Sequence, residues 1–193
     1  MSGVQDFRLE HNLTSDSIVF EVGGFTGDFS DRIINKFGCN VCIFEPIIEY
    51  YEYLKLKYSS NSKIKVFNYG LESFSGNKPI TLSNDGSSIY ATVGGLTQMV
   101  LLRNVNDVLK ELGFEKIDLI ELNCEGSEYS ILTELHAGPY MSIIETIQIQ
   151  FHKIDSIVYE KEKAKCREYL ATTHTLMWDK PHDNFECWAL TKP

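Results

Sequence analysis

Short apolar runs alternate with longer amphipathic stretches along most of the chain. Runs of β-branched and aromatic residues predict strands, and apolar residues that return every three or four positions predict helices. The strands are predicted at 17–22, 41–44, 64–69, 117–122 and 143–150, and the helices at 27–38, 45–58, 106–112, 127–135 and 156–170. This alternation is typical of an α/β protein with a mostly parallel sheet and helices on both faces.

Two segments depart from the alternation. Residues 71–103 carry strand-like pieces at 79–82 and 99–102 around a polar turn, which we interpret as an insertion over one edge of the sheet. Strand patterns at 173–178 and 185–190 are joined by a polar loop, so we expect a terminal hairpin that adds an antiparallel strand. We therefore expect residues 1–193 to form a single domain with one insertion.

Length and charge restrict the class of protein. A chain of 193 residues with 43% hydrophobic and 23% charged residues has an ordinary globular composition. Its 18 basic and 27 acidic residues give a net charge of −9, so we expect no nucleic-acid partner and no membrane partner. No apolar run approaches the roughly 20 residues of a membrane helix, and the first residues lack a secretory signal, so we expect a cytoplasmic protein.

The five cysteines are irregularly spaced and odd in number, which is typical of reduced thiols. Cys39 and Cys42 form one C-x-x-C pair, but a structural zinc site would need a second pair at similar spacing.

Candidate ligand-binding residues follow the predicted strands, because parallel sheets bind ligands beyond the carboxyl ends of their strands. Glu21 lies in the first strand, and glycines follow it in the run Glu21-Val22-Gly23-Gly24-Phe25-Thr26-Gly27. Glu45 directly follows the second strand, where a carboxylate can accept hydrogen bonds from both hydroxyls of a ribose. The alternative is that the glycines only form a turn and that Glu45 caps a helix.

Local charge distinguishes two nucleotide-type cofactors, a dinucleotide such as NAD and S-adenosylmethionine. Glu21 and Asp28 flank the glycines with negative charge, which would repel a pyrophosphate and attract an ammonium or sulfonium group. The residues therefore favour S-adenosylmethionine over NAD.

Polar residues also follow the fourth and fifth predicted strands. Glu125 and Glu128 are suited to catalysis or to capping the N-terminus of the next helix. His152 follows the fifth strand and is either a structural histidine or a general base. We expect His152 to be the base and Glu125 or Glu128 to orient it or the acceptor.

Four sequence blocks, taken in order, resemble the FkbM-type methyltransferases. The blocks are FEVGGFTG at 20–27, FEP at 44–46, IDLIELNCEGSE at 117–128 and IQIQFH at 147–152. The resemblance implies a Rossmann-like class I methyltransferase fold, with a seven-stranded, mostly parallel sheet and an antiparallel C-terminal strand. It also implies S-adenosylmethionine as methyl donor and O-methylation, often of a sugar hydroxyl in a glycan or a glycosylated metabolite.

The resemblance also implies roles for individual residues. Glu21, Gly23 and Gly27 shape the methionine side of the cofactor pocket, Glu45 holds the ribose, Gly70 and Leu71 lie near the adenine, and Gly24, Pro46 and Asn123 are further cofactor contacts.

The chain departs from the family pattern at several positions. The third block, at 117–128, has Glu121 and Asn123 where the family has a lysine and an acid, and Gln150 stands where an acid is common. Because amide oxygens are weaker ligands for a hard cation than carboxylates are, we expect no bound metal. The exchanges leave open a rival interpretation, a module that binds S-adenosylmethionine without catalysis.

Overall fold

A computed structural model describes residues 6–82, 96–153 and 158–191. The strands are β1 (Ile18–Val22), β2 (Asn40–Phe44), β3 (Ile64–Phe67), β4 (Gly70–Glu72), β5 (Gly76–Thr81), β6 (Thr97–Asn104), β7 (Leu119–Leu122), β8 (Thr146–Gln150), β9 (His174–Lys180) and β10 (Phe185–Leu190). The helices are α1 (Asp28–Phe37), α2 (Ile48–Lys57), α3 (Val105–Leu112), α4 (Glu128–Ala137) and α5 (Tyr159–Ala171), with 3-10 turns at Phe7–Leu9 and Met141–Ile143.

The main sheet has seven strands in the order β3-β2-β1-β7-β8-β10-β9. The pairs from β3 to β8 are parallel, and β10 is antiparallel to both of its neighbours. The predicted mostly parallel sheet and terminal hairpin are therefore confirmed. The chain leaves β1 towards β2 and later returns to pair β7 on its other side, so the strand order reverses between β1 and β7.

Two apolar layers sandwich the sheet. On one face, Val19 and Ile43 pack with Ile33 of α1 and Leu54 of α2. On the other face, α3, α4 and α5 contribute Val108, Ile131 and Leu170 to a cluster with Phe20 and Leu122. Side chains alternate between the faces along a strand, so the same strands serve both layers and are nearly continuous in apolar residues.

The insertion forms a second, three-stranded sheet in the order β4-β6-β5. Ile80 and Leu102 from this sheet pack on Ile47, directly after β2, and thereby hold it beside the carboxyl ends of the main strands. The predicted pieces at 79–82 and 99–102 lie within or beside β5 and β6, whereas β4 was not predicted, because three residues are too short for a periodic signal. The polar turn of the insertion, with Ser87, Ser88 and Tyr90, lies outside the described residues.

Most boundaries differ from the prediction by one to three residues, and two of the differences have a clear physical reason. Helix α2 begins at Ile48 rather than at Glu45, because the Glu45 carboxylate accepts the backbone N–H of Ile47 at 2.8 Å and holds this turn outside the helix. Strand β8 begins at Thr146 because the residues before it include the 3-10 turn Met141–Ile143.

The C-x-x-C pair is part of the core. Cys39 and Cys42 are both buried, and burial raises the pKa of the Cys42 thiol to about 11. Within the described ranges, no helix combines the length and apolar character needed to cross a bilayer.

Candidate functional site

A cavity of about 330 Å³ lies at the carboxyl ends of β1, β2, β7 and β8, where the strand order reverses. The apolar lining consists of Val22, Phe44, Pro46, Ile47, Leu71, Ile80 and Leu102, and the polar lining of Glu45, Asn123, Cys124, Glu125, Ser127, Gln150 and His152, with Gly23, Phe25, Tyr50 and Gly70 between them. The cavity thus has an apolar end beside the second sheet and a polar end above β7 and β8.

The loop after β1 passes very close to the end of β7. Gly23 has φ of +95°, and a Cβ at this position would overlap the backbone carbonyl of Asn123. Phe25 also has a left-handed backbone, with φ of 44°, and its ring packs edge-on against Tyr50 at 4.7 Å. The loop therefore exposes its backbone to the cavity at Gly23. At Phe25 it lines the cavity with an aromatic ring.

Glu45 lies at the tip of β2 and ties two loops together. One carboxylate oxygen accepts the backbone N–H of Phe25 at 2.9 Å, and the other accepts that of Ile47 at 2.8 Å. Burial raises the pKa of Glu45 to about 7, although these backbone hydrogen bonds oppose the rise. Each carboxylate oxygen has a second lone pair, so Glu45 can still accept a hydrogen bond from a ligand hydroxyl.

At the polar end, His152 lies between two carboxylates. Its Nε2 is 3.0 Å from Glu125 and its Nδ1 is 3.1 Å from Glu128. The backbone N–H of His152 also donates to Glu128 at 2.7 Å, and that of Gly126 donates to the other Glu128 oxygen at 2.9 Å. Glu128 is fully buried behind the histidine, whereas the Glu125 side chain is 28% exposed at the cavity.

The surroundings of His152 favour its charged form. Burial alone would lower its pKa, but the hydrogen bonds that the ring donates to Glu125 and Glu128, together with the negative charges of these carboxylates, outweigh burial and raise the pKa to about 10. In this arrangement His152 is an imidazolium at neutral pH. It can act as a base only after one of these contacts has changed.

Strand pairing places two further acids side by side beneath the glycine loop. Glu21 of β1 is the register partner of Glu121 of β7, and both are buried. Ser30 donates a hydrogen bond to Glu21. Burial and the neighbouring charge of Glu121 raise the pKa of Glu21, and burial raises the pKa of Glu121 to about 8.

These acids line a smaller cavity of about 180 Å³, whose walls also include Arg8 and Asp28. Gly23, Phe25 and Asn123 line both cavities, so the smaller one continues the larger one on the other side of the loop.

The structure brings most of the sequence-predicted residues together. Gly23, Glu45, Pro46, Gly70, Leu71, Asn123, Glu125 and His152 line the larger cavity, and Glu21 and Gly24 line the smaller one. Glu128 lies behind His152, and Gly27 lies apart from both cavities at the start of α1, where its carbonyl accepts the Tyr58 hydroxyl at 2.9 Å. Their assigned roles remain predictions.

Sequence reasoning missed Arg8, Tyr50 and the pair Ile80 and Leu102. A lone arginine in a polar N-terminal stretch carries no signal of its own. The apolar pair could have been anticipated from the alternating pattern of the insertion. In the parts of the chain that the structure describes, no group of three or more His, Cys, Asp or Glu side chains is arranged to hold a metal ion.

No family model matches the chain, and no curated protein matches it either. Solved structures do resemble it. The fibrillarin pre-rRNA processing protein of Methanococcus jannaschii superposes with a TM-score of 0.56 at 12% identity, over 93% of this chain and 69% of that chain. A candidate caffeoyl-CoA O-methyltransferase from Staphylococcus aureus gives a TM-score of 0.54 at 10% identity, over 91% of this chain and 76% of that chain. The METTL16 methyltransferase domain gives 0.55 at 11% identity, over 92% of this chain and 61% of that chain.

The chain has the Rossmann-like methyltransferase fold. This confirms the predicted fold, whereas the FkbM subtype stays a prediction. The similar structures include an RNA-processing protein and a candidate small-molecule methyltransferase, so the likeness does not define an acceptor. The likeness to an RNA-processing protein conflicts with the expectation of no nucleic-acid partner, and the acceptor of this chain is not shown.

Proposed function

We propose that the protein is an S-adenosylmethionine-dependent O-methyltransferase that acts on a hydroxyl group of a sugar. The observation that carries this proposal is the cavity at the reversal of strand order, which has Glu45 at one end and the Glu128–His152 pair at the other. One end is suited to a nucleoside and the other to proton transfer from an acceptor.

The residues that line the larger cavity fit the proposed cofactor. Among the described residues, no lysine or arginine lines the larger cavity, so nothing there would neutralise the pyrophosphate of NAD. Phe44, Pro46 and Leu71 offer apolar contact for an adenine, and Glu45 accepts hydrogen bonds from ribose hydroxyls. Gly23 allows the loop backbone to approach the end of β7, because a Cβ at this position would overlap the Asn123 carbonyl.

When bound, S-adenosylmethionine supplies a methyl group already activated by positive sulfur. The remaining task of the chain is to align an acceptor oxygen and to remove its proton. We assign proton removal to Nε2 of His152, which is on the side of the ring that meets Glu125 at the cavity. Buried Glu128 accepts a hydrogen bond from Nδ1–H of His152, which fixes the orientation and the tautomer of the ring.

The high pKa of His152 belongs to the arrangement in which both carboxylates contact the ring. An acceptor hydroxyl that takes the place of Glu125 at Nε2 removes one negative partner, and the pKa of His152 then falls. Nε2 then loses its proton to Glu125 or to solvent, and the neutral ring is the base in the complex with the acceptor.

The chemistry of the cavity supports a neutral acceptor. The polar wall presents carboxylate and amide groups at Glu125, Asn123 and Gln150, which can hydrogen-bond to sugar hydroxyls. The net charge of −9 disfavours an RNA acceptor, because it opposes phosphate binding.

The test is transfer of a radiolabelled methyl group from S-adenosylmethionine to a panel of neutral glycans, anionic glycans and RNA oligonucleotides. We expect label in a neutral glycan. Label in RNA alone would contradict the proposed acceptor, and no transfer to any acceptor despite tight cofactor binding would favour the second candidate.

The second candidate is a binding module that retains the cofactor pocket without turnover. The protonated state of His152 between two carboxylates favours it, since an imidazolium is not a base. The two candidates differ in turnover and agree on cofactor binding.

A further inference from the structure

The residue that we assign as base, His152, lies beyond the regular pairing of β8. Strand β8 pairs with β10 up to Gln150, and Phe151 donates one further backbone hydrogen bond to Asn184. His152 follows, and no backbone group in the described part of the chain bonds to its N–H or to its carbonyl. The sheet therefore brings His152 to the cavity without fixing the direction of its ring.

Two side chains of α4 bond to the backbone of His152 instead. The N–H donates to the Glu128 carboxylate at 2.7 Å, and the carbonyl accepts a hydrogen bond from the Tyr129 hydroxyl at 2.8 Å. Glu128 and Tyr129 are the first two residues of α4, so one helix end holds both backbone groups of the histidine.

The Tyr129 side chain is itself held in place. Its ring packs against that of Phe151 with the centroids 5.5 Å apart, and its backbone carbonyl accepts the Thr133 hydroxyl at 2.8 Å. Burial and the negative charge of Glu128 raise the pKa of Tyr129, so its hydroxyl keeps the proton. Tyr129 thus offers His152 a fixed donor that carries no charge.

The two contacts from α4 differ in what they do to the histidine. Glu128 also accepts a hydrogen bond from Nδ1 of the ring, so it supplies negative charge as well as position. The Tyr129 hydroxyl bonds to the backbone of His152 and supplies position without charge. A misplacement of about 1 Å in a reacting group can lower a rate roughly 10²-fold, so the placement of this backbone matters for Nε2.

We propose that Tyr129 is a positioning residue of the methyl transfer, which acts through its hydrogen bond to the His152 carbonyl and keeps Nε2 directed at the acceptor. The proposal rests on the proposed function, because it concerns the residue that we assign as base. Tyr129 lines neither the larger nor the smaller cavity. Its effect should therefore reach the His152 ring and turnover, and should leave cofactor binding unchanged.

The first measurement follows the His152 ring in the unliganded full chain. Tyr129→Phe removes the hydroxyl and keeps the ring that packs on Phe151. An NMR titration with ring-labelled histidine reports the pKa of His152, whose signal is identified by its loss in His152→Ala. We expect this pKa to fall by about 0.3 to 1 pH unit in Tyr129→Phe, because a looser ring meets its two carboxylate partners less often.

The second measurement is turnover with a neutral glycan that the wild-type protein methylates. On the plateau of the pH profile, kcat of Tyr129→Phe should fall about 3- to 10-fold, which corresponds to the loss of one neutral hydrogen bond. The KM for the glycan and the affinity for S-adenosylhomocysteine should change less than about 2-fold, because Tyr129 contacts neither ligand.

Tyr159→Phe is the matched control. The Tyr159 hydroxyl donates to the side chain of Asn184 at 3.1 Å, so this variant also removes one tyrosine hydrogen bond near the end of β8 but leaves the partners of His152 in place. Thermal melts should show a similar loss of stability in both variants. Tyr159→Phe should leave the His152 pKa and kcat at their wild-type values.

If either the His152 pKa or kcat stays at the wild-type value in Tyr129→Phe, or if both tyrosine variants change equally, the proposal is wrong. If the wild-type protein methylates no acceptor, the proposed function is contradicted, and Tyr129 has no transfer to assist. The NMR titration needs no acceptor, so it distinguishes a failure of the Tyr129 contact from a failure of the proposed function.

Discussion

Two groups of carboxylates at the same edge of the sheet have very different partners. The cavity-side group consists of Glu125 and Glu128, which lie 3.0 and 3.1 Å from the His152 ring. The buried pair consists of Glu21 and Glu121, and Nη1 of Arg8 lies 4.0 Å from Glu121. In the first group the carboxylates outweigh burial and raise the pKa of His152 to about 10, whereas in the second, burial raises the pKa of Glu121 to about 8.

The partner of a carboxylate therefore decides which atom holds the proton. Paired carboxylates keep a proton on the histidine that we assign as base. Poorly paired carboxylates keep the proton themselves, and are thus prepared to release it when a cationic ligand arrives.

The largest effect should come from removing the histidine of the cavity-side group. His152→Ala should lower turnover roughly 10²- to 10⁴-fold, because the acceptor loses its base, and should leave cofactor affinity nearly intact. Methyl-transfer rates and calorimetry with S-adenosylhomocysteine measure the two effects separately.

The control for this variant is His136→Ala, which removes an exposed histidine that stacks on Tyr169 away from the cavity. Turnover near the wild-type rate in His152→Ala would make His152 a structural residue and move the search for the base to Glu125 and Glu128. A thermal melt identifies a variant that has lost its fold.

The two carboxylates of the cavity-side group should differ in their effect on turnover. Glu125→Gln and Glu128→Gln should each lower the pKa of His152, by about 1 to 3 pH units, because each removes a negative neighbour. Glu128→Gln should also lower turnover, since it loosens the ring, whereas Glu125→Gln should not lower it at neutral pH. An NMR titration of the His152 ring and the transfer rates test this contrast, which equal losses in both variants would refute.

The buried pair should make the unliganded protein less stable as the pH rises. The folded pKa of Glu121, about 8, lies above the ordinary value of 4.5, so the folded chain holds a proton that the unfolded chain releases between these values. The resulting stability is complete below pH 4.5 and is lost as the pH rises through 8. Glu121→Gln has no such proton to lose.

Denaturant unfolding at pH 5 and pH 8 measures this effect. Relative to the wild-type protein, Glu121→Gln should gain at least about 1 kcal/mol in free energy of unfolding between the two pH values. His152 loses its own contribution between 6.5 and 10 in both proteins, so the difference isolates Glu121. A constant difference between the two proteins would show that Glu121 is ionised throughout.

The smallest effect concerns metals. Asn123 and Gln150 bring neutral amides where the family pattern has acids, so we expect turnover to persist after treatment with a chelator. Loss of transfer in chelator that magnesium or manganese restores would show that the cavity-side carboxylates serve a metal instead of His152.

Sequence patterns predicted the sheet because each strand and helix is encoded by residues that are close together in the chain. β-branched runs such as Ile18–Val22 and the helix stripe with Ile33 encode element type, and alternation encodes parallel pairing. The positions of Glu45 and His152 after strands followed from the same logic, because strand ends converge at one edge.

The remaining features of the site depend on contacts between distant segments. The contact of Arg8 with Glu121 joins the N-terminal turn to β7, and the approach of Ile80 to the cavity joins the insertion to β2. Neither leaves a periodic signal. The protonation of His152 depends on two distances and on burial, which sequence spacing does not provide.

Calorimetric titration with S-adenosylhomocysteine, with NAD as the comparison ligand, tests the central claim most directly. We predict that S-adenosylhomocysteine binds, that NAD does not, and that Glu45→Ala weakens S-adenosylhomocysteine by about 1.5–3 kcal/mol through loss of the ribose contact. Unchanged affinity in Glu45→Ala would remove Glu45 from the site. Tight binding of NAD, or no binding of S-adenosylhomocysteine, would contradict the account as a whole.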